Sequence, residues 1–250
     1  MLPLPDFHDA ARAASWTFRP DVAALAAAAH DWAERHAIPP AAGDRFRVEL
    51  LLIDCQRDFC HPEGSLFVGG RSGSGAVEDV ERVTRFVYRH LDRISSITAT
   101  LDTHVPLQIF SPGFWLDREG RPLPAHTEIA AADVRSGAAR PRPELAAELA
   151  PGGDESWLAR HALAYCEALE AGGRYRLRLW PPHCLLGGEG HALAGAIEQA
   201  RLFHAAARRA PGELVLKGRS PLTESYSALA PEVRTAFDGR PLAPLETGLR

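Results

Sequence analysis

The chain has 250 residues, 46% of them hydrophobic, enough for a globular domain with a sizeable core. A formal net charge of -4, a pI near 6.3 and the lack of any basic run argue against nucleic acid and anionic membrane as partners. No apolar stretch reaches the roughly 20 residues of a spanning helix, and the opening MLPLPDFHDAARAASW lacks the basic and apolar segments of a secretory signal. The four cysteines, Cys55, Cys60, Cys166 and Cys184, form neither a CxxC pair nor a compact disulfide framework, so a reducing cytoplasm is the expected setting.

Asp21 to Ile38 is alanine-rich, ends at Pro39-Pro40 and carries Val22, Leu25, Ala29, Trp32 and Ala33 at helical spacing. The spacing predicts a helix, and residues 1–46 read as an N-terminal helical extension ahead of the first strand. Next comes VELLLIDCQRDF, Val48 to Phe59. Val48, Leu50, Leu51, Leu52 and Ile53 form an apolar run without alternation, the pattern of a strand buried on both faces of a parallel sheet. The run stops at Asp54, which sets a carboxylate at the carboxyl edge of the sheet, where open α/β folds bind their ligands.

The following CHPEGSLFVGGRSGSGA lacks the Lys-Ser/Thr ending of a P-loop and the spacing of a dinucleotide fingerprint, and reads as a flexible connection. Val80, Val83, Val87 and Leu91 mark a crossover helix. Ile94 to Leu101 reads as a second strand ending in Asp102-Thr103-His104. Residues from about 113 to 155, rich in Pro and Ala, read as a loose insertion. Leu158, Ala162, Tyr165 and Leu169 mark a helix stopped by Gly172-Gly173. Tyr175 to Trp180 reads as a third strand running into Pro181-Pro182-His183-Cys184. Leu193, Ile197, Ala200 and Phe203 mark a further helix, and Glu213 to Leu216 a fourth strand ending at Lys217. After Phe237, DGRPLAPLETGLR reads as the beginning of another helix. Strand and helix in alternation, with no internal repeat, predict a single domain over residues 1–250. Its class is α/β, a three-layer α/β/α arrangement with a mainly parallel, Rossmann-like sheet.

Asp54, Asp102, His104, His183 and Lys217 all fall at or just beyond strand ends. Taken singly, an Asp after a strand is a turn or capping residue and a Lys there is solvated. Taken together they suggest a site. Asp102 and His104 are two apart, so in extended backbone their side chains point the same way. His183 could complete a carboxylate with two imidazoles, a donor set suited to a divalent Zn, Fe or Mn ion with positions left for water or substrate. Asp54 and Lys217 would stand beside it as an acid/base and electrostatic pair.

LLIDCQRDFCHPEGSL resembles the opening motif of the isochorismatase-like cysteine hydrolases. LDTH, WPPHC with its glycine-rich follow-on, and LKG with ESYSAL downstream resemble, in that order, later motifs of the nicotinamidase branch, over Val48 to Leu229. The resemblance implies an isochorismatase-like fold and hydrolysis of a small amide, such as a pyridine carboxamide, through a cysteine thioester. It implies Asp54 as catalytic aspartate and Lys217 as catalytic lysine. Asp102, His104 and His183 become metal ligands, Phe59 a pocket wall and Trp115 a second wall. In that chemistry a thiolate attacks the carbonyl, the aspartate passes a proton to the departing ammonia, and the lysine's charge favours thiolate.

The chain departs from the family at the nucleophile, which there follows a further strand beyond the lysine segment. None of the four cysteines matches it. Gly187-Gly188-Glu189-Gly190 also lacks the Thr that relatives carry after the first glycine. Three readings follow. One is an N-terminal portion of a nicotinamidase-like amidohydrolase whose last strands and nucleophile lie outside the chain. Another is a catalytically inactive metal- or ligand-binding pseudoenzyme of the same fold. The third is a hydrolase using a metal-activated water. Each takes a small molecule as partner and leaves a homo-oligomer open.

Overall fold

The computed structural model describes residues 1–173, 175–242 and 247–249. In chain order the elements are α1 (Val22–Arg35), β1 (Glu49–Ile53), α2 (Arg57–Cys60), α3 (Gly75–Arg89), β2 (Ser96–Asp102), β3 (Trp115–Leu116) and β4 (Glu128–Ile129). They continue with α4 (Ala131–Arg135), β5 (Arg140–Pro141), α5 (Ala146–Leu149), α6 (Glu155–Ala171), β6 (Leu177–Arg178), α7 (Gly195–Arg208) and β7 (Glu213–Lys217). Among the described residues no helix is long and apolar enough to cross a membrane. The chain divides into two compact units, Met1–Asp102 with Gly187–Val215, and Thr103–Leu186 with Leu216–Arg250.

The first unit is an α/β arrangement around a parallel strand pair. β1 pairs with β2 in register from Glu49↔Ser96 to Ile53↔Thr100, and β7 lies on the other side of β2. Leu52 of β1 and Ile97, Ala99 and Leu101 of β2 pack with Leu25, Ala29 and Trp32 of α1, Val80 and Val87 of α3, and Ile197, Ala200 and Phe203 of α7. The helix α1 begins where Asp21 accepts the Ala24 N–H at 3.1 Å, the capping expected of an Asp at that position.

The apolar run of β1 behaves differently from its sequence pattern. Leu52 is 4% exposed, whereas Leu51 is 43% and Ile53 64% exposed. The strand therefore alternates in burial: β1 lies at the edge of the sheet with Leu52 in the core of this unit, whereas the central β2 is buried on both faces, Thr98 and Thr100 included. At the other end of β2, buried Arg208 of α7 donates to the Ile94 carbonyl and to Asp44, tying the entry to β1 to the entry to β2.

The second unit is built from short pieces. β3 pairs antiparallel with β5, and β4 antiparallel with β6. Phe114, Trp115, Ile129, Ala131, Ala139 and Ala146 are buried together with Leu158, Ala162, Tyr165 and Leu169 of α6. Much of the stretch read as a loose insertion is thus core. The strand expected over Tyr175 to Trp180 is reduced to Leu177–Arg178 and runs antiparallel to β4 rather than joining the parallel sheet. Leu179 N–H donates to Thr127 O at 2.9 Å, and beyond Trp180 two prolines without N–H groups end the pairing. The helix expected after Phe237 falls partly on residues 243–246 and 250, which lie outside the described residues; 238–242 and 247–249 are not helical.

Candidate functional site

Asp102 is the last residue of β2, and His104 follows it by two positions in extended chain. Each of Asp102, His104 and His183 offers one ligand atom, and these atoms all lie within 4.8 Å of one another. All three side chains are buried, at 7%, 2% and 5% exposure. The segments that carry the two histidines are held side by side by backbone: His104 N–H donates to Cys184 O at 3.0 Å and Leu186 N–H to His104 O at 2.9 Å.

The imidazoles are fixed by carbonyls. Nδ1 of His104 lies 3.1 Å from Gly218 O, and Nδ1 of His183 lies 2.7 Å from Pro181 O. A carbonyl can only accept, so each Nδ1 carries a hydrogen, which leaves Nε2 as the nitrogen able to present a lone pair. A histidine that ligates through Nε2 needs that tautomer, and a backbone carbonyl is a usual device for setting it. One carboxylate and two such nitrogens, mutually close and buried, fit a divalent ion of the Zn, Fe or Mn type.

A cavity of about 230 Å³ opens beside the two rings. His104 and His183 line it together with Leu107, Phe110, Pro112 and Pro181, so its wall is largely apolar. The Phe110 ring lies 4.7 Å from that of His104, and the two imidazoles are 4.6 Å apart, edge to face. A small molecule that is mostly apolar suits such a space. The backbone is strained around it: Cys184 has φ +45° and Leu107 φ +65°. Left-handed backbone at non-glycine residues concentrates at functional sites.

Asp54, just past β1, also has left-handed backbone, with φ +51°, as do Ala37, His126 and Arg209 elsewhere in the chain. Thr100, its neighbour across the strand pair, holds it there. The Thr100 hydroxyl accepts the Asp54 N–H at 3.0 Å and donates to Asp54 Oδ1 at 2.6 Å. Lys217 ends β7 with its side chain 2% exposed, and Nζ donates to Ser225 O at 3.1 Å. Phe59 is partly buried against the core of the first unit. Trp115 is fully buried in the core of the second unit, its indole N–H donated to Ile109 O at 2.5 Å. It does not line the cavity beside the imidazoles; Phe110 does.

The thiols are quiet. Burial, with a smaller contribution from the neighbouring Asp54 carboxylate, pushes Cys55 up to about 11. Burial pushes Cys166 up to about 12 and raises Cys60 as well. None of these three stands in the electropositive setting that activates a cysteine.

Gln108 is a residue that spacing did not single out. Fully buried, it donates through Nε2 to Gly218 O at 2.7 Å and to Ser220 O at 2.8 Å, while its Oε1 accepts the Val105 N–H at 3.1 Å. It thereby braces the carbonyl that orients His104. The available signal was a lone amide four residues after a candidate ligand. The glycine-rich follow-on also has a steric reason: a Cβ on Gly190 would fall 1.9 Å from Asp58 Oδ2.

No protein-family model and no curated protein matches the chain. Among solved structures, the yeast nicotinamidase Pnc1p bound to the inhibitor nicotinaldehyde is similar at 19% identity, over 73% of this chain and 62% of that one, with a TM-score of 0.42. A nicotinamidase pyrazinamidase from Acinetobacter baumanii is similar at 17% identity, over 82% of this chain and 64% of that one, with a TM-score of 0.43. The chain thus spans less than two thirds of the length of these structures.

Proposed function

We propose that the chain carries the substrate pocket, the metal ligands and the acid/base pair of a nicotinamidase-like amidohydrolase, acting on a small pyridine carboxamide. The observation that carries this reading is the buried Asp102, His104 and His183 group, with both imidazoles turned to present Nε2 beside a small apolar cavity. Motif resemblance supports the same reading independently, since LDTH and WPPHC supply those three residues.

In this reading the cavity selects a flat ring by excluding water and larger groups. A divalent ion held by Asp102, His104 and His183 would orient the substrate through its ring nitrogen. Asp54, locked by Thr100 in one conformation, would hold the proton that leaves with ammonia when the amide C–N bond breaks. Lys217, buried at the end of β7, would supply fixed positive charge. The thiol that would take the acyl group as the C–N bond breaks matches none of the four cysteines of this chain; one water would then release the acyl group, giving the carboxylic acid and ammonia overall.

A second reading, a pocket that binds metal and amide without turnover, is favoured by the thiols: burial keeps Cys55 and Cys166 protonated at neutral pH. One set of measurements separates the two. The wild-type chain is expected to hold one equivalent of a divalent ion, and His104→Ala to weaken that by about 10–100-fold. Nicotinamide binding by calorimetry should follow the ion. Ammonia release, by the chain alone or on adding a small thiol in place of the unmatched nucleophile, that is lost in Asp54→Ala supports the hydrolase; binding with no ammonia in either case supports the second reading. A chain that takes up neither ion nor amide overturns both.

A further inference from the structure

Gln56 is fully buried, and both ends of its side-chain amide are engaged with Asp102 at the end of β2. Its Oε1 accepts the Asp102 N–H at 2.7 Å, and its Nε2 donates to Asp102 O at 2.7 Å and to His191 O at 2.9 Å. We propose that Gln56 is the positioning residue for Asp102, a role that rests on the reading of Asp102 as a metal ligand.

The need for it follows from the path of the chain. The β1–β2 ladder ends at Ile53↔Thr100, and Asp54 then turns away in left-handed backbone. β1 therefore leaves before it can pair with Asp102. The Gln56 side chain replaces the missing strand residue, gripping both backbone polar groups of Asp102 at once. With its N–H and C=O both held, the Asp102 Cα–Cβ direction is fixed, and its carboxylate keeps the ligand atom that lies within 4.8 Å of those of His104 and His183. A ligand held in place before the ion arrives binds it more tightly than one that must be ordered.

The residue type is specified by this geometry. Two donors and one acceptor on a three-bond stem are what a glutamine offers. Glutamate would set a carboxylate against two carbonyls. Methionine would leave the Asp102 amide buried without its partner, and asparagine falls one methylene short. The competing view is that Gln56 only ties the loop after β1 to residues 191–194, which Arg57 N–H and Ala194 N–H already do through Ala192 O and Cys55 O, each at 2.9 Å.

The test uses Gln56→Met, with Gln56→Asn as the milder variant should the first fail to fold. Amide hydrogen exchange is read at Asp102 and at residues 97–100, and Co2+ affinity is read by titration of the visible absorption. The proposal expects exchange at Asp102 to quicken by about fivefold or more while residues 97–100 stay protected. It expects Co2+ affinity to fall about 10–100-fold and the absorption spectrum to shift. Equal acceleration along all of β2 would make Gln56 a mere stabiliser and overturn the proposal. So would Co2+ affinity within twofold of wild type once Asp102 has lost its protection. A wild-type chain that binds no Co2+ would overturn the metal reading itself, and the exchange data would still report whether the grip on Asp102 exists.

Discussion

At the scale of single residues, backbone carbonyls do most of the setting. Gly218 O and Pro181 O choose the tautomers of His104 and His183, and the buried amides of Gln56 and Gln108 brace the backbone around them. The same burial suppresses nucleophiles. With its pKa pushed up to about 11, Cys55 is expected to resist alkylation at pH 7.5. Its rate with iodoacetamide should climb about tenfold per pH unit towards 11, since thiolate is the reacting form. Fast labelling of Cys55 at pH 7.5 on the folded chain, located by peptide mass spectrometry, would show that its thiol is activated after all. These residues also mark what was legible in the sequence. Asp102 and His104 could be paired from their spacing, and His183 from its place beyond an apolar run. Gln56 and Gln108 could not, because their partners are backbone groups that any residue supplies. Trp115 was assigned to a pocket by resemblance, but its indole serves the core of the second unit.

At the scale of elements, the sequence pattern placed the long helices and the strands β1, β2 and β7, and it misjudged the burial of β1 and the pairing of Tyr175–Trp180. α1, α3, α6 and α7 all stand where apolar residues recur at helical spacing, because a helix declares its buried face within its own sequence. A strand's burial depends on what lies over each face, and that is non-local. LLLI reads as doubly buried, yet Leu51 and Ile53 look away from the helices. The fate of Tyr175–Trp180 was likewise set by a distant partner, Glu128–Ile129, that spans two residues. The alternation in β1 gives a paired prediction. Leu51→Thr should change unfolding free energy by no more than about 0.5 kcal/mol, as for exposed positions, and should reduce self-association by removing surface apolar area. Leu52→Ala, one residue on, should cost about 2–5 kcal/mol through the cavity left in the core. Urea titration of the two variants measures both, and equal losses would mean that β1 is covered on both faces.

At the scale of the whole molecule, both units bury imidazoles that folding keeps neutral. His61 and His204 lie in the first unit and His161 in the second. Burial lowers the pKa of all three. His204 Nε2 lies 2.8 Å from Ile94 O, and His161 stacks on Trp157 with ring centroids 5.2 Å apart. The sign of the pH effect follows. The unfolded histidines take up protons near pH 6.5, and the folded ones only lower down. Each therefore contributes stability that is complete above about pH 6.5 and is lost as pH falls from there through the folded value. Asp44, whose carboxyl the Arg208 guanidinium holds below the usual range, adds a separate loss that begins only below its unfolded value of 3.8. Melting temperature should thus be level between pH 7 and 8 and decline between 6.5 and 5, before Asp44 enters. A chelator present throughout removes competition between protons and metal at His104 and His183 from the curve. His204→Gln keeps a donor for Ile94 O and removes one titration, so its decline between pH 6.5 and 5 should be shallower than that of the wild type. A variant curve parallel to the wild-type one would exclude His204 as a contributor, and a wild-type curve flat to pH 5 would mean that none of the three imidazoles is held neutral by the fold.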